Sequence, residues 1–478
     1  MTTLLEELKG IVGPRGWTTD ARALEPHLTE WRGTYRGRTL VMVEPTCADE
    51  VGRIVKACAA AGAGIVPQGG NTGMCGGAVP DSSGQQVILS LGRMHRVRAV
   101  DVENFSMEVE AGCILANAQE AAKAAGLHLP LSMGAEGSCQ VGGNIATNAG
   151  GINVGRYGTA RALVLGLEVV LADGTVLDSL RSLRKDTAGY DLKQLFIGSE
   201  GTLGIITAAS LRLYPDPGEL TTAMLGIDSA GAAVEVLRRL KVALDNRIEA
   251  FELVSQRVFG LVTQHIAGAR SPFEVEYPWY VLLEAASGGG PEGLEKALTA
   301  ELDAGRVLDA VVAKNETEAA ELWRLRHSIA EAERQDGKAL KHDISVPLSR
   351  MQEFLARGDE LLAELRPDAR LVAFGHVGDG NLHYNVVLPR TLRDDEWAAE
   401  GTRISRGIYD LVDELGGSFS AEHGVGQAKR AWLREYRSGA ELGLMRQLKK
   451  TLDPANILNP GKVISVSYTH LRAHETRY

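Results

Sequence analysis

Cysteine is scarce in this chain and poorly placed for structural work. The five cysteines, Cys47, Cys58, Cys75, Cys113 and Cys139, are odd in number and none sits in a CxxC pair. A disulfide framework or a zinc-thiolate knuckle is therefore excluded as the organising feature, and a reducing compartment fits best. No run reaches the roughly 18 apolar residues of a membrane span. The opening "MTTLLEELKGIVGPRGW" carries early acids and no apolar stretch of signal-peptide length. The expected location is cytoplasmic. Excess positive charge is missing too, since the 478 residues sum to a formal net charge of −10. That argues against nucleic acid and anionic membranes, which reward a basic surface, as main partners.

Two nucleotide-binding devices are also lacking. No strand–GxGxxG–helix unit is followed about twenty residues later by an acid. No glycine loop ends in Gly-Lys-Ser/Thr, so there is no P-loop. Internal repeats are absent, and "SGGGPEG" is the only low-complexity stretch.

What remains is an ordinary globular composition, 44% hydrophobic and 23% charged, long enough for two or three domains. In the first half, short apolar strands ("TLVMVEP", "GIVPQ", "QVILSLGRM", "SMEVEAGCIL") alternate with amphipathic helices. The helix "ADEVGRIVKACAAAG" ends at Gly62. A hairpin in "ALVLGLEVVLADGTVL" turns at Asp173-Gly174. Pro215 and Pro217 mark a boundary. Beyond them an α+β unit opens, with "ETEAAELWRLRHSIAEAERQ" read as one long helix and "ALKHDISVPLSRM" as a strand. The domains expected are 1–215 and 216–465. The last stretch, 466–478, has no helical or strand periodicity and is expected to be a non-native tail, so His470 and His474 are not counted as ligands.

Three loops in the first half are built from small residues: "PQGGNTG" (67–73), "GAEGSCQVGGNIATNAGG" (134–151) and "IGSEGTLGII" (197–206). Glycine lets a backbone approach a ligand closely and turn its N–H groups toward phosphate. One such loop is equally a tight connection. Three in one domain point to an extended polyphosphate and ribityl chain.

In the second half, "VAFGHVGDGNLHYNVVL" places two histidines around a turn. If Asp379-Gly380 is a two-residue turn, His376 faces His383 across an antiparallel pair, with Cβ atoms about 5 Å apart. Asn385 shares that face. "SAEHGVG" adds Glu422 and His423, which need a kink at Gly424 to point the same way. Two histidines and a carboxylate form a catalytic divalent-ion set. The pair fits equally two histidines on an exposed strand face.

The four segments "PQGGNTG", "VGGNIATNAGG", "GSEGTLGII" and "LDPANILNPGKV" resemble the flavin-binding pattern of the vanillyl-alcohol oxidase (PCMH-type) superfamily, in the same order, over about residues 15 to 465. The resemblance implies an α+β fold: a PCMH-type FAD-binding domain of two subdomains, an α+β cap domain for the substrate, and a C-terminal segment returning to the flavin. It places Pro67, Gly69, Gly70, Asn71, Thr72 and Gly73 along the pyrophosphate. Pro130, Gly142, Gly143, Thr147, Asn148 and Gly150 would carry the ribityl and phosphate contacts. Gly198, Glu200, Gly201, Gly204 and Ile206 would hold the adenosine side, and Asn459 would close over the flavin. Covalently flavinylated relatives often carry a histidine in the first loop. Asn71 stands here instead, which implies non-covalent FAD.

"GHVGDGNLHYN" and "AEHGVG" resemble the signature of FAD-dependent D-2-hydroxyacid dehydrogenases, nearest the hydroxyglutarate-type members. This implies His376, His383 and Glu422 as ligands of a divalent metal, Zn²⁺ by family, and His423 as catalytic base. The metal would bind the 2-hydroxyl and a carboxylate oxygen, and the C2 hydride would pass to flavin N5. Arg326, Lys341 and Asn385 match the substrate-binding positions; read singly, each cation is also an ordinary solvated charge. Ala330 departs from the family, which carries threonine at that position. The implied substrate is D-2-hydroxyglutarate, then D-malate, with a D-lactate or glycolate dehydrogenase as the near alternative. The implied electron acceptor is an electron-transfer flavoprotein or a quinone, and the implied assembly is a homodimer. A metal-dependent hydrolase and a non-catalytic subunit are the other classes. The four groups of the metal cluster argue against the latter.

Overall fold

The computed structural model describes residues 2–286 and 292–464, so the tail at 466–478 lies outside the described residues. Three sheets carry the fold. In the first, Val41–Val43, Val87–Ser90 and Ile65–Gln68 run parallel, with Trp17–Thr18 antiparallel at one edge. These strands are buried almost throughout, as a sheet covered on both faces requires. Helix Ala48–Ala61 packs alongside. It ends at Gly62, whose φ of 64° accepts the left-handed cap.

The second sheet is antiparallel, in the order Val97–Asp101, Ser106–Glu110, Ile205–Arg212, Val164–Val170, Val176–Ser179. Its last two strands are the hairpin expected at Asp173-Gly174. One core unites both sheets, spanning Leu4 to Leu213 and taking in Ile457 and Leu458 from the chain's other end. That return is anchored by Lys449. Its buried ammonium donates to the Thr202 and Leu458 carbonyls at 2.9 and 2.8 Å.

The third sheet is antiparallel and lies wholly in the second half. Its order is Asp309–Val312, Leu220–Ile227, Trp279–Ala286, Ile248–Ser255, Arg370–His376, Asn381–Val387, Ala339–Leu340, with Asp343–Ser345 also on Asn381–Val387. Alternating side chains feed two cores. Helices Ala230–Ala243, Met351–Leu365 and Asp394–Glu414 cover one face. Gln256–His265, Glu316–His327 and Ile329–Asp336 cover the other. The halves are tied together at Glu249. Its carbonyl accepts from Asn153 at 3.1 Å, and its carboxylate pairs with Arg156 and Tyr157.

Two local expectations change. The long helix is two helices, parted at Ser328, where ψ of −3° lets the chain change direction. The hairpin does not close with two residues. Val377–Asp379 forms a 3₁₀ turn that Gly380 ends at φ 85°, so His383 lies opposite Phe374 and Asn385 opposite Val372. His376 is instead opposite Glu252 on the other neighbouring strand. The slip is two residues, an even number, so both histidines stay on one face.

Candidate active site

The three small-residue loops converge beyond the end of strand Ile65–Gln68. They form a narrow cleft lined by Pro67, Gly69, Gly70, Asn71, Thr72, Gly73, Gly142, Gly143, Thr147, Glu200, Gly201, Gly204 and Ile206. The glycines have two different uses. A Cβ on Gly70 would lie 2.0 Å from the Ser138 carbonyl, so this glycine lets the first two loops close on each other; one on Gly142 would lie 2.5 Å from Ala111 Cβ, so this one lets the second loop pack on the end of strand Ser106–Glu110. Gly73 and Gly143 would meet nothing within 4 Å. Their open backbone faces suit a ligand pressed against the main chain. Asn71 sits at φ 51° and donates to the Pro26 and Thr29 carbonyls, so its side chain holds the loop. Gln140 Oε1 is buried, has no hydrogen-bond partner and belongs to a cleft-lining residue. A long phosphate- and hydroxyl-bearing cofactor fits this cradle.

Five expected contacts stand outside the cleft wall. Asn148 accepts from the Arg161 amide, and the Gly198 amide donates to Ile145. Asn459 donates to the Gly77 and Glu200 carbonyls, bracing the cleft from behind. Gly150 abuts Glu422: a Cβ there would lie 3.2 Å from Oε2. Pro130 sits between buried Leu129 and Leu131.

The metal-type cluster grows from the third sheet. His376 and His383 have ring centroids 5.5 Å apart. Glu422 Oε1 lies 3.7 Å from His376 Nε2, 3.6 Å from His383 Nε2 and 3.9 Å from His423 Nε2. Ligands about 2.1 Å from a tetrahedral ion stand roughly 3.4 Å apart, so this spacing suits one small cation. On ligand-atom distance alone, Asp343, His383, Glu422 and His423 lie within 4.8 Å of one another. Asp343, however, spends its oxygens elsewhere. They accept the Glu422 and His423 amides at 3.0 and 2.8 Å and Asn381 Nδ2 at 3.0 Å.

The expected kink is present. Gly424 has φ 75°, and Glu200 accepts the next two amides, Val425 and Gly426, at 2.7 and 2.8 Å. Gly424→Ala puts a methyl 2.8 Å from Glu200 Oε1 at a left-handed φ. The expected loss is about 1–3 kcal/mol in chemical denaturation, and wild-type stability would contradict it.

Charges in this cluster are strongly biased. Burial pulls His383 down to about 3, leaving a neutral imidazole with a free lone pair. Burial also opposes charge on Glu422 and Glu252, but His376 beside both, and Arg326 beside Glu252, bring each carboxyl down to about 2. Burial likewise opposes charge on His376, yet Glu252 and Glu422 hold its pKa well above the usual value.

A cavity of about 870 Å³ opens next to the cluster, lined by Arg326, Ala330, Glu333, Lys341, Asn385, His376, His383, Glu422, His423, Trp31 and Trp323, among others. All three expected substrate contacts are on its wall. Neither cation is free: Arg326 pairs with Glu252 at 2.6 Å, and Lys341 pairs with Glu333, which also accepts from Asn385. Sequence reading missed Glu252, Glu333 and Asp343. Glu252 stands out as an acid among apolar residues in "FELV", but nothing in the local pattern says what it, Asp343 or Glu333 would meet, since their partners lie on distant segments. His423 lines both the cleft and the cavity.

Residues 39–179 match a family described as an FAD binding domain, and residues 216–463 match "FAD linked oxidases, C-terminal domain". The chain belongs to the FAD-linked oxidases. It is an FAD-dependent oxidoreductase of the PCMH-type fold. Over 450 residues it is 42% identical to D-2-hydroxyglutarate dehydrogenase, mitochondrial, of Bos taurus, covering 93% of this chain and 80% of that one. Over 449 residues it is 38% identical to D-2-hydroxyglutarate dehydrogenase of Xanthomonas citri pv. viticola, covering 93% of both. Substrate-bound p-cresol methylhydroxylase shares the fold, with a TM-score of 0.74 at 17% identity over 97% of each chain. The cytoplasmic expectation is corrected by these relatives, since the bovine protein is named mitochondrial. Among the described residues no helix is long and apolar enough to cross a membrane.

Proposed function

We propose that this FAD-linked oxidase oxidises D-2-hydroxy acids to 2-oxo acids, D-2-hydroxyglutarate first and D-malate next. The observation that carries this reading is His423, set where the loop cleft meets the cavity that Arg326 and Lys341 line. Residues 1–215 serve as the FAD domain and 216–465 as the substrate domain. Bound FAD supplies the two-electron acceptor. A divalent ion of the zinc type, held by His376, His383 and Glu422, supplies Lewis acidity toward the 2-hydroxyl. Lys341, Arg326 and Asn385 hold the acid's carboxylates and so orient C2. His423 takes the hydroxyl proton at Nε2, and Asp343 fixes the loop that carries it. The flavin is held non-covalently. Asn71 is occupied by backbone carbonyls, and burial pushes the cleft's Cys75 thiol up to about 11, so it stays protonated and a weak nucleophile. Electrons leave through an electron-transfer flavoprotein or a quinone, and the working assembly is a homodimer.

Anaerobic titration tests the assignment. D-2-hydroxyglutarate is expected to bleach the flavin band near 450 nm, with D-malate weaker. Bleaching by D-lactate or glycolate but not by D-2-hydroxyglutarate would overturn it. Ala330 keeps that second reading in the test, because it brings to the cavity wall no hydroxyl for a substrate to meet.

A further inference from the structure

Glu252 occupies the middle of strand Ile248–Ser255, directly across from His376. It is fully buried. Its oxygens part company. Oε1 receives His376 Nδ1 at 2.5 Å, while Oε2 accepts Arg326 Nε at 2.7 Å and stands 2.6 Å from Nη2 as an ion pair. The guanidinium lies 4.9 Å from the centre of the Phe374 ring. Packing does not call for a carboxylate at this position, because neighbours Phe251, Leu253 and Val254 all belong to apolar cores. An unpaired charge there would be strongly destabilising. The charge serves its two partners.

We propose that Glu252 is a positioning residue that sets the metal ligand and the substrate anchor together. This rests on the metal-assisted reading above. A proton held on His376 Nδ1 by Glu252 leaves Nε2 aimed at Glu422, the orientation a ligand needs. The same carboxylate holds Arg326 at the cavity wall, because Nε and Nη2 of the guanidinium both converge on Oε2. Holding both from one side chain fixes the spacing between ion and cationic anchor. That spacing sets the length of acid able to reach both.

The test uses the full-length holoenzyme and Glu252→Gln, which keeps the volume but replaces one acceptor by an amide donor. Zinc affinity is read by competition with a chromophoric chelator, and KM and kcat by steady-state kinetics. The zinc Kd is expected to rise about 10–100-fold, and KM for D-2-hydroxyglutarate to rise with it. Arg326→Lys serves as the contrast, raising KM while leaving the zinc Kd within about twofold, since His376 is untouched. Glu252→Asp withdraws the charge by one methylene. It is expected to shift both quantities in the same direction, and it replaces Glu252→Gln where that variant does not fold. A folded Glu252 variant with wild-type zinc Kd, or with only one quantity moved, overturns the dual role. Wild-type protein that binds no zinc overturns the metal-assisted reading, and this inference with it.

Discussion

On the proposed metal-assisted reading, Glu422→Ala is expected to leave the protein folded and flavin-bound but without the divalent ion, and to lower kcat/KM for D-2-hydroxyglutarate on the order of 10³-fold. Glu422 Oε1 lies within 4 Å of the Nε2 atoms of all three histidines. Its removal deletes the shared anionic ligand and leaves His376 and His383 as a neutral pair at best. Two imidazoles alone do not hold a zinc-type ion firmly. Without it the 2-hydroxyl keeps its ordinary acidity, and the lost charge stabilisation, about 4 kcal/mol, corresponds to the stated factor. Metal content by elemental analysis, flavin content by absorbance and steady-state kinetics check the three parts. A variant that keeps both ion and activity would remove Glu422 from the site. One that loses the ion yet keeps its rate would separate the ion from the chemistry.

Much of this site was legible because its geometry follows local rules. Glycine-rich loops at strand ends carry backbone-cradling chemistry wherever the strands lie, and Gly70 and Gly142 show why no larger residue serves there. The hairpin was legible for a subtler reason. The expected register was off by two, yet side chains alternate with period two, so His376, His383 and Asn385 still share a face. A slip of one would have scattered them. Glu252 was not legible, because strand Ile248–Ser255 meets Arg370–His376 across more than a hundred residues of intervening chain. The carboxylate's partner on that strand cannot be read from either segment alone. Asp343 and Glu333 failed over shorter spans, since Asp343 meets Asn381 and Glu333 meets Asn385 only after the chain has passed through helix Met351–Leu365. Location failed differently, since charge and apolar runs in the chain say nothing of where its relatives reside.

His423→Asn is expected to lower kcat by about 10²–10⁴-fold, the usual contribution of a positioned general base, with KM, flavin content and metal content close to wild type. Asparagine preserves the size and the loop, whose amides remain held by Asp343 and Glu200. What it removes is the basic nitrogen at the meeting of cleft and cavity. The measurement also divides two roles that distance alone leaves equal. His423 Nε2 stands 3.9 Å from Glu422 Oε1, scarcely farther than the 3.6 and 3.7 Å of the other two histidines. A ligand and a base in that position differ in what their loss takes away. If His423 is a ligand, His423→Asn releases the ion, and flavin reduction fails because the hydroxyl is no longer polarised. If it is the base, the ion stays and binding of the 2-oxo acid product is unchanged, while the anaerobic bleaching rate collapses. Retention of metal and product affinity with loss of the reductive step supports the base. Loss of metal moves His423 into the coordination sphere and leaves the proton to another acceptor.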